Sequence, residues 1–203
     1  MTQLLSSLSF RSVLDVGCGD GSLLGFLKDR FGCEIYGLES DDSPANTRVP
    51  LNGYYRMDIT AQHPKRSFDV VIASEVLEHI PEQERGLRNM HAVSNRYLLL
   101  TVPGEPIRET DKYMGHVRHY DLGSLDQVVT SCGFRVIRSF AWGFPFHSTY
   151  KLMQDIFPEV MIQGFGTGEY GWTQKTVCNL LYGLFHLNLS RFGSQLFLLG
   201  EKA

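Results

Sequence analysis

Three glycines at alternate positions, Gly17, Gly19 and Gly21, interrupt the apolar run Val13-Leu14-Asp15-Val16 and hand it to Ser22-Leu23-Leu24-Gly25-Phe26-Leu27-Lys28, whose apolar spacing is helical. A buried strand turning tightly into a helix is the reading. Glycine permits positive φ and lets the backbone approach a ligand with no Cβ in the way, so the turn is expected to serve a bound molecule. A dinucleotide site wants G-x-G-x-x-G with its pyrophosphate on the helix N-terminus. Here the spacing is G-x-G-x-G, and Asp15 and Asp20 flank it in a loop without lysine or arginine. Two carboxylates suit a cationic ligand better than a pyrophosphate. A second strand over 34–38 ends in Glu39, about 20 residues on, where an acid takes both hydroxyls of a ribose. A nucleoside without phosphates fits all three observations.

Further along, Ala73-Ser74-Glu75-Val76-Leu77-Glu78-His79 follows a strand whose C-terminal edge borders the ligand crevice of an open parallel sheet. If this segment turns helically, Glu75, Glu78 and His79 stand at i, i+3 and i+4 and share a face suited to a divalent cation. His116 can complete that set from a later loop. For proton removal, histidine is the side chain matched to neutral pH, and His79, His116 and His119 are the candidates. Opposite stands a structural reading of Gly115-His116-Val117-Arg118-His119-Tyr120-Asp121, in which Arg118 and Asp121 pin the loop and Tyr120 packs on the core. His63 and His91 read as surface residues, while His147 and His186 lie in a later insertion.

The chain resembles the class I S-adenosylmethionine-dependent methyltransferases of the small-molecule, quinone-biosynthesis-like branch. The resemblance rests on VLDVGCGDG, YGLES, YYRMDIT, FDVVIASEVLEHIPE, YLLLTVPG and GHVRHYD before a helix ending CGF. It covers roughly residues 10 to 141 and resumes near the C-terminus. It implies S-adenosylmethionine as methyl donor and S-adenosylhomocysteine as product. Carried over, Asp15 meets the ligand's ammonium or the amides of the glycine turn, Gly17, Gly19 and Gly21 bind the cofactor, Glu39 takes the ribose, and Asp58 with Met57 and Ile59 the adenine. Ser74 and Glu75 then border donor and acceptor. Local capping is the alternative for Asp15 and Asp58, and Asp41 and Asp42 are the fallback for Glu39. In quinone-biosynthesis O-methyltransferases and small-RNA 2′-O-methyltransferases a similar ExxEH motif binds metal, which points to Glu75, Glu78, His79 and His116 here. A sulfonium methyl is already electrophilic, so catalysis reduces to alignment, exclusion of water and removal of a hydroxyl proton.

Positioning these residues requires alternating strands and helices, hence a doubly wound α/β sheet covered on both faces. Strands are expected at 13–17, 34–39, 53–56, 68–73, 97–102, 134–141 and 194–201. Helices are expected at 21–31, 82–94 and 122–132, the last capped by Asp121 and stopped by Gly133. The resemblance implies a Rossmann-like, mostly parallel sheet of order 3-2-1-4-5-7-6 with its last strand antiparallel. Between the sixth and seventh strands lies an insertion, residues 142–192, rich in aromatics that include Trp142, Phe144, Phe146, Tyr150, Phe165, Tyr170 and Trp172. It is expected to be a lid or wall over the acceptor, a dimer interface, or a satellite core. Its apolar stretch 177–189 falls short of the roughly 18 residues that span a bilayer. GFGTGEYG, residues 164–171, has no lysine and no preceding strand, so it reads as loop.

A chain of 203 residues with 43% hydrophobic content buries one core, so a single domain, 1–203, is expected. Net charge of −3 and the lack of a basic stripe exclude a nucleic-acid footprint. Four cysteines without metal spacing, and an N-terminus without a leader pattern, point to a reducing, cytoplasmic location. The acceptor is expected to be a small molecule: aromatic, apolar or sugar-containing. Homodimerisation is compatible with the insertion. Two other classes stay in view, a degenerate nucleoside-binding scaffold and a nicotinamide-dependent dehydrogenase, the latter disfavoured by the glycine spacing.

Overall fold

The computed structural model describes residues 1–40, 47–104, 106–156 and 171–203. Strand β1 (Ser12–Val16) is buried along its whole length, as its β-branched and leucine content requires of a central strand. It pairs in parallel with β2 (Glu34–Glu39) and β4 (Phe68–Ser74), and β2 pairs with β3 (Gly53–Arg56). β5 (Ser94–Pro103) continues the parallel set beside β4, and β7 (Gln195–Lys202) inserts antiparallel between β5 and β6 (Phe134–Trp142). The order is β3-β2-β1-β4-β5-β7-β6, as the resemblance implied.

Alternate side chains of the strands feed two cores, one on each face. Leu14, Val16, Val71 and Leu98 join Leu87 and Met90 of α3 (Gln83–Val93) and Leu125 and Val129 of α5 (Leu122–Ser131). On the other face Val13, Ile35, Ile72 and Leu99 meet Leu24 and Leu27 of α2 (Ser22–Phe31) and Leu4 and Leu5 of α1 (Thr2–Leu5). Asp121 caps α5 by accepting from the Ser124 amide at 2.8 Å. All parallel strands point their C-terminal ends to one edge, where the ligand crevice of such a sheet opens.

The segment after β4 departs from the helical expectation. Glu75 is held at φ 56, and only Leu77–His79 form a turn, of 3₁₀ type. Glu75, Glu78 and His79 therefore do not share one α-helical face. A short helix, α4 (Glu109–Tyr113), follows β5. Within the insertion the structure shows α6 (Phe146–Ile156) and α7 (Trp172–Phe185). The half-buried aromatics Trp142, His147, Tyr150 and Phe185 pack ring to ring, with centroids 5.2 to 6.2 Å apart. Asp41, Asp42, Phe165, Tyr170 and nearly all of the glycine-rich stretch 164–171, expected to be loop, lie outside the described residues.

Candidate active site

A cleft of about 450 Å³ opens at the C-terminal ends of β1, β2 and β4, lined by Gly17, Glu39, Asp58, Ile59, Glu75 and His79 among others. A wider depression of about 740 Å³ between α5 and β6 lies away from every candidate catalytic group. Gly17 has φ 73, and a Cβ there would stand 2.5 Å from Val76 Cγ2. Any other residue would drive the β1 turn into the segment after β4. Gly19, at φ 52, has nothing within 4 Å of its absent Cβ, which leaves room for a ligand against the backbone.

Glu39 accepts from the Gly19 amide at 2.8 Å, which fixes the glycine turn from the end of the second strand. The amide partner is thus Glu39 rather than Asp15. Asp15 lies beneath the turn, 3% exposed, with Oδ1 lacking a partner. Burial, reinforced by the charge of Glu39, pushes its carboxyl up to about 8. Asp20 is consumed locally: it accepts from the Ser22 amide at 3.0 Å and pairs with Arg48 at 3.3 Å. Gly21 is the left-handed residue before α2, and a Cβ there would meet Val49 at 3.0 Å; it shapes the turn without lining the cleft. Asp58 accepts from the Thr60 amide (2.7 Å) and hydroxyl (2.9 Å), so the capping reading is realised while the residue still faces the cleft. Ile59, 5% exposed, supplies an apolar wall.

Ser74 turns away from the cleft to the Thr101 hydroxyl at 2.9 Å. Glu75 Oε1 accepts from Thr101 Oγ1 at 2.8 Å and from Gln195 Nε2. That engagement separates Glu75 from the other expected cation ligands. Glu78, His79 and His116 do converge, with ligand atoms within 4.8 Å of one another. Glu78 is wholly buried and neither of its oxygens has a partner. Burial, with the nearby Glu75 charge, lifts its carboxyl to about 8.

Among the histidines the structure makes a division. His79 is exposed on the cleft rim, its Nδ1 3.3 Å from the Gly115 carbonyl and its ring edge-on to His116 at 4.6 Å. His116 and His119 are only 8% and 4% exposed at the side chain and share a 2.8 Å Nδ1···Nε2 contact. Asp111 stands 3.8 Å from each. Burial, then the His79 charge, drives the His116 imidazole down to about 4, so it is neutral at physiological pH. Arg118 donates to the Pro81 carbonyl, as a loop-pinning residue would, and Tyr120 is buried with its hydroxyl on Gln83, in keeping with packing on the core. His91 is not the surface residue expected: it is half-buried, edge-on to Phe134. Sequence reasoning passed over Thr101, Gln195, Asp111 and Lys151. A threonine inside the apolar run YLLLTVPG was the one local signal.

The strand order, the antiparallel β7 and a cleft with a glycine turn on one side and the strand-end Glu39 on the other define a class I S-adenosylmethionine-dependent methyltransferase. A family model described as a methyltransferase domain matches residues 2–139, and the chain belongs to that family. It is 27% identical over 187 residues to a ubiquinone biosynthesis O-methyltransferase of Pseudomonas entomophila (strain L48), an alignment spanning 77% of this chain and 79% of that one. In fold it resembles magnesium protoporphyrin IX methyltransferase of Synechocystis PCC 6803 with bound S-adenosylhomocysteine (TM-score 0.58, 17% identity, 100% and 79% of the chains). A SAM-dependent methyltransferase of Archaeoglobus fulgidus is similar as well (TM-score 0.59, 17% identity, 96% and 87% of the chains). S-adenosylmethionine is the cofactor.

Proposed function

We propose that the protein moves a methyl group to a hydroxyl oxygen of a small-molecule acceptor, with His79 as the general base. The position of His79 carries this reading. A carbonyl only accepts, so the contact with Gly115 puts the ring proton on Nδ1 and leaves the Nε2 lone pair free at the cleft rim. S-adenosylmethionine, when bound, supplies the electrophilic sulfonium methyl. Glu39 takes the ribose hydroxyls, Asp15 balances the amino-acid ammonium across the Gly17–Gly21 turn, and Asp58 and Ile59 receive the adenine. Glu75, fixed by Thr101 and Gln195 behind Ser74, borders the acceptor. His116, His119 and Asp111 hold the base in place. The insertion 142–192, one part of a single domain, forms the acceptor-side wall: α6 reaches α4 through Lys151 and Asp155. Its exposed Trp172, Leu180 and Tyr182 suit an apolar or aromatic acceptor, or a second copy of the chain. The names of the O-methyltransferase relatives support the choice of oxygen and of a small molecule. The described cysteines are all free, which supports the reducing, cytoplasmic reading. Among the described residues no helix is long and apolar enough to cross a membrane.

A second role for the same residues is favoured by Glu78. A wholly buried carboxyl with two unpartnered oxygens beside two imidazoles is a nitrogen and oxygen donor set that fits zinc or manganese better than magnesium. Glu78, His79 and His116 would hold the ion and polarise the acceptor hydroxyl. Calorimetry against S-adenosylmethionine, S-adenosylhomocysteine and NAD, followed by a methyl-transfer screen of phenols, amines and sugar nucleotides, tests the main reading. His79→Ala is expected to lower O-methylation by roughly 10² to 10⁴-fold with cofactor affinity kept. Transfer at the normal rate in that variant removes His79 as base, and full turnover in excess chelator removes the metal.

A further inference from the structure

The insertion meets the histidine cluster through two side chains one turn apart on α6. Lys151 places its ammonium 3.5 Å from Asp111 Oδ1, the two side chains being 17% and 5% exposed. Asp155 binds Arg108 and the Thr110 hydroxyl. Opposite charges four residues apart thus dock the helix on the segment 108–111. Asp111 and Glu78 are buried carboxylates, 4% and 0% exposed. Glu78, His79 and His116 form one set of ligand atoms within 4.8 Å of one another, and Asp111, His116 and His119 form a second; His116 belongs to both. Both oxygens of Glu78 stand without a partner. The Asp111 carboxylate, among three imidazoles and the Glu78 carboxyl, attracts a cation, and the chain brings one of its own.

We propose that Lys151 is a tethered cation that stands in for a divalent ion at this cluster and sets its metal affinity low. The inference builds on the reading of Glu78, His79 and His116 as a cation-attracting set. An ammonium offsets the Asp111 charge from 3.5 Å, but it has no vacant orbital for an imidazole lone pair. A divalent ion entering beside it meets like charge where solvent screens little. Without the ammonium the Asp111 charge stands uncompensated beside His116, and a metal held with Glu78 becomes the better counter-ion.

Titration calorimetry of the full chain with zinc, manganese and magnesium chlorides tests this. The proteins are wild type, Lys151→Met, Lys151→Gln, Lys151→Arg and the double variant Lys151→Met with Glu78→Gln. S-adenosylhomocysteine binding, which depends on the strand-end cleft, reports that each is folded. The expected result is at least tenfold tighter zinc or manganese binding in Lys151→Met and Lys151→Gln, wild-type behaviour in Lys151→Arg, and loss of the gain in the double variant. A gain that survives Glu78→Gln places the metal elsewhere and overturns the proposal. Equal affinity in wild type and the neutral variants also overturns it. If that equal affinity is tight and lost with Glu78→Gln, the metal reading of the cluster stands without the tethered cation; if no binding is detected, both fall.

Discussion

One carboxylate oxygen of Glu39 holds the Gly19 amide, so the residue proposed to accept the ribose hydroxyls also fixes the glycine turn. Glu39→Ala should weaken S-adenosylhomocysteine binding by about 1.5 to 3 kcal/mol, the range for hydrogen bonds to a charged group. Calorimetry measures it, and an unchanged affinity would refute the assignment. Asp15 gives a pH signature. Its carboxyl is raised to about 8, and it meets an ammonium only when ionised. Affinity for S-adenosylhomocysteine should therefore climb from pH 6 to about 8 and level off, and Asp15→Asn should flatten the climb. The places of Asp15, Glu39 and Asp58 around the strand ends were legible because glycine spacing and strand ends set them locally. The buried state of Glu78 was not, since E-V-L-E-H reads as an ordinary amphipathic turn. Its desolvation comes from packing by distant segments, and neither Asp111 nor Lys151 carries a local signal linking it to that site.

At the scale of elements, period-two and period-3.6 patterns placed every sheet strand and the helices α2, α3 and α5 to within a few residues at each end. They failed where tertiary contacts decide. A left-handed Glu75, bonded through its side chain to β5 and β7, breaks the helix that the i, i+3, i+4 spacing promised. The insertion shows the same dependence, for its base is closed by residues from opposite ends. Asn188 Oδ1 accepts from the Phe146 amide at 2.8 Å and the His147 amide at 3.4 Å, capping α6 from 41 to 42 residues away. Ser194, fully buried, contacts both His147 and Ser148. Asn188→Ala removes that cap and should cost about 1 kcal/mol of stability. Thermal unfolding checks the loss. The strand-end cleft is built without α6, so S-adenosylhomocysteine affinity should stay at its wild-type value; a variant with weakened cofactor binding would show that the insertion reaches further into the site than its hydrogen bonds indicate.

For the whole molecule, the buried acids of the site set a pH limit on stability. Glu78 and Asp15 rise from ordinary values of 4.5 and 3.8 to about 8 on folding. Between those limits the unfolded chain releases their protons while the folded chain keeps them, so the neutral-acid contribution is complete at low pH and is lost as pH climbs through 8. His116 runs the other way: with its folded value near 4 against 6.5, its contribution is complete above 6.5 and lost as pH falls toward 4. The two trends oppose each other below pH 6.5. Above it the acids act against a smaller counter-trend from the N-terminal ammonium, which burial holds below its usual 8.0. Without ligand and with chelator present, the melting temperature should decline between pH 6.5 and 8. Glu78→Gln keeps the volume and removes the titration, so its melting curve should decline less over the same window. Parallel pH profiles for the two proteins would show that Glu78 is ionised in the folded state at neutral pH.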